Sequence, residues 1–81
     1  MTEKTYNTYI SISICHFADT PQWDSGRIYT SVENCKLDLH LDVDYQTARR
    51  ELAKLMLRTG KMPGRRTYED MTCYSLTAFL D

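Results

Sequence analysis

The chain has 81 residues, a formal net charge of −1 and 42% hydrophobic residues, which suffices for one small domain but not for a deep enclosed cleft. The amino-terminal residues contain no apolar signal-peptide region, and no run of about 18 apolar residues occurs, so neither secretion nor membrane insertion is expected. We predict a single domain over residues 1–81. A core of this size supplies only about 3–5 kcal/mol of net stability, so self-association or a binding partner is expected.

The three cysteines are Cys15, Cys35 and Cys73. Their number is odd, they lie far apart, and they form neither a CxxC pair nor a Cys/His series at zinc-ligand spacing. We interpret them as reduced thiols of a cytoplasmic protein. No metal and no cofactor are predicted.

A half-buried strand is predicted over Thr5–Phe17. Isoleucines at positions 10, 12 and 14 alternate with serines at 11 and 13, and a period of two is typical of a strand with one buried face. Residues 18–27 carry Pro, Asp, Ser and Gly at turn-forming density, which predicts a loop. Trp23 lies in this loop, where it either folds back over the core or stands out as an anchor for a partner.

A second strand is predicted to begin near Ile28, but the apolar positions change parity farther along. Positions 28, 30 and 32 share one parity, whereas the leucines at 37, 39 and 41 have the other. A single straight strand would turn one of these sets to solvent. A tight hairpin at Glu33–Asn34 is favoured, because asparagine tolerates the positive φ of short hairpin turns. A bulged continuous strand is the alternative.

An amphipathic helix is predicted between Asp44, a good N-cap, and Gly60, a C-terminal stop. Residues suited to its inner face recur at helical spacing: Tyr45, Ala48, Leu52, Leu55, Met56 and Thr59. The alternation over residues 71–80 predicts a last strand, and a short helix capped near Thr67 is the alternative. The order β-β-β-α-β predicts an α+β fold, a two-layer sandwich in which one helix covers an antiparallel sheet of three to four strands.

Charge divides the chain. Up to Tyr45 there are seven acidic and three basic residues, and from Gln46 there are seven basic and four acidic residues. This separation predicts two electrostatically distinct surfaces. If the isoleucines and leucines lie under the helix, the other sheet face carries Tyr9, Ser11, Ser13, Cys15, Tyr29, Ser31, Lys36, Asp38, His40 and Asp42. Aromatic platforms that bind nucleic acid are surrounded by positive charge, which this face lacks.

The acidic face is interpreted either as ordinary solvated surface or as a dock for a protein with a basic surface. The predicted protein-binding residues are Asp38, His40, Asp42, Tyr9, Tyr29 and Trp23. The alternative is a nucleic-acid-binding protein whose phosphate contacts come from Arg50, Lys54, Arg58, Lys61, Arg65 and Arg66. A basic helix face also serves simply to keep a helix soluble. Leu57, expected on the rim of that face, is one candidate contact of a homodimer, and an unpaired edge strand is the other.

No catalytic residues are predicted. The sequence lacks a GxSxG elbow, a P-loop, GxGxxG and HExxH. Asp38, His40 and Asp42 share one strand face, but nearly parallel side chains need a further ligand from another strand to chelate a metal. The overall profile, one compact α+β domain with no motif and a carboxylate-bearing face, resembles that of small phage-encoded inhibitors, anti-CRISPR proteins among them. That resemblance implies a non-catalytic inhibitor of a host nucleic-acid-handling enzyme.

Overall fold

The computed structural model describes residues 8–32 and 37–79. They form one sheet and one α-helix: β1 (Thr8–Phe17), β2 (Ser25–Val32), β3 (Leu37–Val43), α1 (Tyr45–Thr59), β4 (Gly64–Thr67) and β5 (Met71–Phe79). A short 3-10 helix, Pro21–Trp23, lies between β1 and β2. The strands pair antiparallel in the order β3-β2-β1-β5-β4. The first and last long strands are therefore neighbours in the middle of the sheet.

The predicted α+β class is confirmed, but the predicted architecture is not exact. The sheet has five strands instead of three to four, because the segment between α1 and the last strand, to which the predicted order β-β-β-α-β assigned no strand, contains β4. β4 has four exposed residues without apolar alternation, and it is a strand because β5 offers it a pairing edge. α1 packs mainly on β1, β2 and β5. The single helix covers only part of the five-stranded sheet, so the predicted two-layer sandwich is not exact.

The core lies between α1 and the three strands that it covers. Its buried members alternate along the strands and recur at helical spacing along α1: Ile12, Ile14, Ala48, Leu52, Leu55, Leu76 and Ala78. Alternate burial in β1 and β5 is the pattern expected for strands that cover a core with one face. The last segment is therefore a strand, as predicted, and the alternative of a short helix is wrong.

Both predicted ends of α1 are confirmed. The Asp44 carboxylate accepts a hydrogen bond from the Thr47 backbone N–H at 2.7 Å, and hydrogen bonds from Thr47 lower the pKa of Asp44. Gly60 adopts φ 70°, and its N–H donates to the Met56 carbonyl at 2.8 Å. Glycine tolerates this left-handed conformation without a steric penalty.

A close contact between β2 and α1 fixes where the helix begins over the sheet. Gly26 is buried in β2 beneath the fully buried Ala48. A Cβ atom on Gly26 would collide with the Cβ of Ala48 and lie 3.2 Å from the Asp44 carbonyl oxygen. The predicted loop over residues 18–27 extends too far, because β2 begins at Ser25. Gly26 therefore belongs to a strand instead of a turn, and its lack of a side chain allows α1 to pack closely against β2.

The chain reverses direction between β2 and β3. These strands pair antiparallel with Val32 opposite Leu37, so the alternative of one bulged continuous strand is wrong. The four residues between this pair include the predicted turn at Glu33–Asn34, which lies outside the described residues. The leucines of β3 were expected under α1, but Leu41 is 53% exposed. The reason is that β3 is an edge strand, beyond the strands on which α1 mainly packs.

Cys15 and Cys73 form a disulfide, which corrects the prediction of reduced thiols. They lie directly opposite each other on β1 and β5, with their Cα atoms 4.1 Å apart. The two cysteines are 58 residues apart in the sequence, so no local pattern indicated that they are close in space. Disulfides are rare in reducing compartments, so the prediction of a cytoplasmic protein loses its main support. Cys35 lies outside the described residues. None of the described helices is long and apolar enough to cross a membrane.

Asp24 ties the first loop to the end of β1. One carboxylate oxygen accepts a hydrogen bond from the Phe17 backbone N–H at 2.7 Å, and the other lies 2.8 Å from His16 Nδ1. The Phe17 N–H is the main reason that the pKa of Asp24 lies below its ordinary value of 3.8, and His16 adds to the effect. The ionised carboxylate therefore stabilises the fold more than the protonated carboxyl does.

This geometry predicts a specific loss of stability in acid. Because the native pKa is depressed, the contribution of Asp24 is complete above the ordinary pKa and disappears as the pH falls through the native pKa. We expect Asp24→Asn to unfold more easily than the wild type at neutral pH, and the difference in free energy of unfolding to shrink below about pH 4. Urea unfolding of both proteins at several pH values measures this difference. Asp19→Asn makes the same substitution in the same loop and is the matched control; it should unfold like the wild type at neutral pH.

Candidate protein-binding face

The sheet face opposite α1, called here the open sheet face, draws side chains from all five strands. Directly opposed residues of antiparallel strands project to the same side, so the register defines its members. Those with described side chains include Tyr9, Ser11, Ser13, Cys15, Arg27, Tyr29, Asp42, Arg66, Cys73, Ser75, Thr77 and Phe79. Ser31, Asp38 and His40 occupy positions of the same parity, but their side chains lie outside the described part. Lys36 is outside it altogether.

An aromatic cluster of Tyr9, Tyr29 and Phe79 occupies one end of the open sheet face. The Tyr9 ring lies between the others, with its centroid 6.0 Å from Tyr29 at an interplanar angle of 82° and 5.4 Å from Phe79 at 58°. Edge-on and tilted contacts of this kind are favourable by about 0.5–1.5 kcal/mol beyond the burial of area. Phe79 is nevertheless 62% exposed. The cluster therefore presents pre-ordered aromatic surface to the outside.

Tyr9 and Tyr29 were predicted for this face, whereas Phe79 was not singled out. The sequence did not show that β1 and β5 are neighbouring strands, in which Tyr9 lies directly opposite Phe79. The alternation of Cys73, Ser75, Thr77 and Phe79 already separated this set from the core residues of β5. Applied to the last strand, the parity argument used for β1 would have placed Phe79 on the open sheet face.

Hydroxyl groups occupy the middle of the open sheet face. Thr77 Oγ1 donates a hydrogen bond to Ser11 Oγ at 3.0 Å, and Ser13 lies opposite Ser75. The Cys15–Cys73 disulfide follows on the same pair of strands. Tyrosine combined with serine is the composition that antibody paratopes use, because rigid amphipathic rings supply contact area and small hydroxyl groups adapt their hydrogen bonds.

The charge of the open sheet face differs from the sequence-based expectation. Arg27 Nε donates to Asp42 Oδ1 at 3.1 Å across β2 and β3, with both side chains exposed. Arg66, opposite Cys73, is a second basic residue on this face. Arg27 was missed because residues 18–27 were assigned to a loop. Among the described side chains, the face therefore carries two arginines and one aspartate, and Asp42 is already paired.

Trp23 is neither a lid over the core nor a wholly free anchor. Its ring packs edge-on against Phe17, with centroids 5.9 Å apart at 83°, and the residue is 61% exposed. Phe17 lies at the opposite end of β1 from Tyr9. Trp23 and the aromatic cluster are thus separated by most of the length of β1 and do not form one patch.

The predicted nucleic-acid-binding residues do not share one surface. Arg50, Lys54 and Arg58 are exposed on α1, followed by the exposed Lys61, and Lys54 is paired with Glu51 at 3.4 Å. The two arginines of β4 diverge: Arg65 lies opposite Tyr74 on the helix side of the sheet, whereas Arg66 lies on the open sheet face. The structure therefore keeps the helical part of this set together and splits the rest.

Among the large apolar residues whose side chains are described, Leu57 is the most exposed, at 86%. With Ala53, Met56 and Met62 it lines a shallow apolar groove of about 470 Å³ beside the C-terminal end of α1. This groove lies on the helix side of the molecule, so it is separate from the open sheet face.

No group of three His, Cys, Asp or Glu side chains within the described ranges could hold a metal ion. His16 is engaged by Asp24 and contacts the Tyr45 ring, whereas position 40 lies on β3 opposite Tyr29. Comparisons of the chain with protein-family models, with curated proteins and with solved structures gave no significant match.

Proposed function

We propose that this chain is a non-catalytic protein-binding module that contacts its partner with the open sheet face. The observation that carries this proposal is the aromatic cluster, in which Tyr9 braces the 62% exposed Phe79. Aromatic residues are enriched in protein interfaces and supply most of their hot spots. A braced ring loses little conformational freedom on binding, which favours affinity.

The partner is proposed to meet the aromatic cluster with an apolar or mixed surface, flanked by polar groups that satisfy Ser11, Ser13 and Thr77. A basic partner surface, as predicted from the sequence, would add to this near Asp38 and Asp42. Charges at the rim of an interface mainly set the association rate, and Asp42 is already paired with Arg27. Inhibition of a nucleic-acid-handling enzyme is one specific form of the proposal.

Two substitutions test whether the aromatic cluster binds the partner. We expect Tyr9→Thr/Phe79→Thr to bind its partner at least about 10-fold more weakly than the wild type, since hot-spot truncations cost about 2 kcal/mol or more. Threonine preserves strand propensity. The partner would first be recovered with tagged protein from a nuclease-treated lysate, identified by mass spectrometry and purified. Dissociation constants would then be measured by calorimetry.

Leu57→Ala is the control, because Leu57 is also a large exposed apolar residue but lies on α1, away from the open sheet face. It should bind like the wild type. Equal affinity of the threonine double variant and the wild type would contradict the proposal. So would a partner whose binding is lost only in Leu57→Ala.

A second candidate function, nucleic-acid binding, is favoured by the exposure of Arg50, Lys54 and Arg58 on one helix. The same pull-down separates the two candidates. Recovery of nucleic acid, or of proteins that disappear after nuclease treatment, would favour the helix. Binding through phosphates would then weaken steeply as the salt concentration rises.

A further inference from the structure

The two edges of the sheet differ in how they are protected. β4 has four residues, and two of them are arginines, which discourages another strand from pairing with it. β3 has seven residues and pairs only with β2 among the described strands. A long edge strand with free backbone groups is a template for another strand. β3 is therefore the edge at which the sheet can be extended.

The helix side of β3 carries a row of apolar positions, Leu37, Leu39, Leu41 and Val43. α1 packs mainly on β1, β2 and β5, and Leu41 remains 53% exposed while Val43 packs against the core. The exposed Leu41 side chain, at the rim of the core, would be removed from water if another surface covered this edge.

The sequence of β3, LDLHLDV, can pair with itself. On the open side it reads Asp38, His40, Asp42. An antiparallel copy centred on His40 would set Asp38 opposite Asp42, and like charges directly opposite each other are destabilising. A shift of two residues in either direction instead sets each His40 opposite an aspartate of the other copy. The imidazole can then donate to a carboxylate, and leucine positions still lie opposite apolar positions.

We propose that β3 of one chain pairs antiparallel with β3 of a second copy in this shifted register, so that the two five-stranded sheets become one continuous sheet. The contact is isologous, with a two-fold axis perpendicular to the sheet. Both apolar rows then lie side by side on the helix side. The edge and the open sheet face are different surfaces, so this inference does not depend on the proposed function.

Oligomeric state is the first test. The purified full chain should be a dimer in sedimentation velocity over concentrations from about 10 to 500 µM. Leu41→Lys places a charge in the apolar row and should shift the protein to monomer, with at least about a 10-fold higher dissociation constant. Leu57→Lys puts the same charge on the exposed helix groove and should remain a dimer. A monomeric wild type, or dissociation only of Leu57→Lys, would overturn the proposal.

Single cysteines test the register without relying on a destabilised variant. In a Cys35→Ser background, Leu41→Cys lies opposite itself in one shifted register and Leu39→Cys in the other. His40→Cys lies opposite itself only in the unshifted register. Mild oxidation should give a covalent dimer with one of the two leucine variants and little with His40→Cys. Efficient cross-linking of His40→Cys alone would refute the shifted register, and no cross-linking by any variant would refute the β3 contact.

Discussion

Gly26→Ala is expected to destabilise the protein by about 2–3 kcal/mol, near the upper end of the range for overpacked sites. The new methyl group would collide with Ala48 Cβ. The Asp44 carbonyl oxygen, 3.2 Å away, would prevent the methyl group from moving to the other side. Relief requires a shift of the first turn of α1 against β2, which disturbs the best-buried part of the core. For a domain with about 3–5 kcal/mol in total, this is about 40% of the stability or more.

Gly64→Ala provides the matched control. A Cβ atom at Gly64 meets only the Ser75 carbonyl oxygen, at 3.9 Å, which is ordinary van der Waals contact. Both variants make the same chemical change in a strand of the same sheet. Chemical unfolding monitored by circular dichroism would compare them. Equal stability of the two variants would show that α1 does not approach β2 as closely as described.

Removing the Cys15–Cys73 disulfide is expected to have the largest effect of all. A bond that closes a loop of 58 residues restricts the unfolded chain and contributes about 4 kcal/mol in the chain-entropy model. That value is comparable with the whole net stability of a domain of this size. We therefore expect Cys15→Ser/Cys73→Ser, made in a Cys35→Ser background to prevent exchange, to be largely unfolded or to melt at a much lower temperature.

A reductant separates the loss of the bond from the effect of the substitutions. Dithiothreitol should lower the melting temperature of Cys35→Ser alone and leave the triple variant unchanged. Thiol counting under denaturing, non-reducing conditions should find no free thiol in Cys35→Ser. Two free thiols in freshly purified, oxidised Cys35→Ser would contradict the disulfide itself.

Features determined by neighbouring residues were predictable from the sequence. Both ends of α1 follow from Asp44 and Gly60, which act within one turn of the helix. The alternation of β1 and β5 fixed which residues form the core, since side chains change faces at every step along a strand. In contrast, β4 exists only through its pairing with β5. No local preference of Gly-Arg-Arg-Thr indicates a strand.

The candidate site was only partly predictable for the same reason. Tyr9 and Tyr29 were assigned to the correct face by parity alone. Their combination with Phe79, the pairing of Arg27 with Asp42, and the disulfide all depend on which strands are neighbours and in what register. Strand order is a long-range property, and the sequence alone could not show that Asp42 is paired with Arg27.

The Cys15–Cys73 disulfide adds a second covalent link between the two ends of the fold. It joins β1 to β5, so β2, β3, α1 and β4 all lie within one covalent ring. A single proteolytic cut at the exposed Lys61 would open that ring without releasing either piece. The carboxy-terminal hairpin would stay attached through sulfur and through its pairing with β1. We therefore expect the fold to tolerate the loss of the peptide link between the helix and the last hairpin, and a two-fragment molecule to keep the fold until the disulfide is reduced.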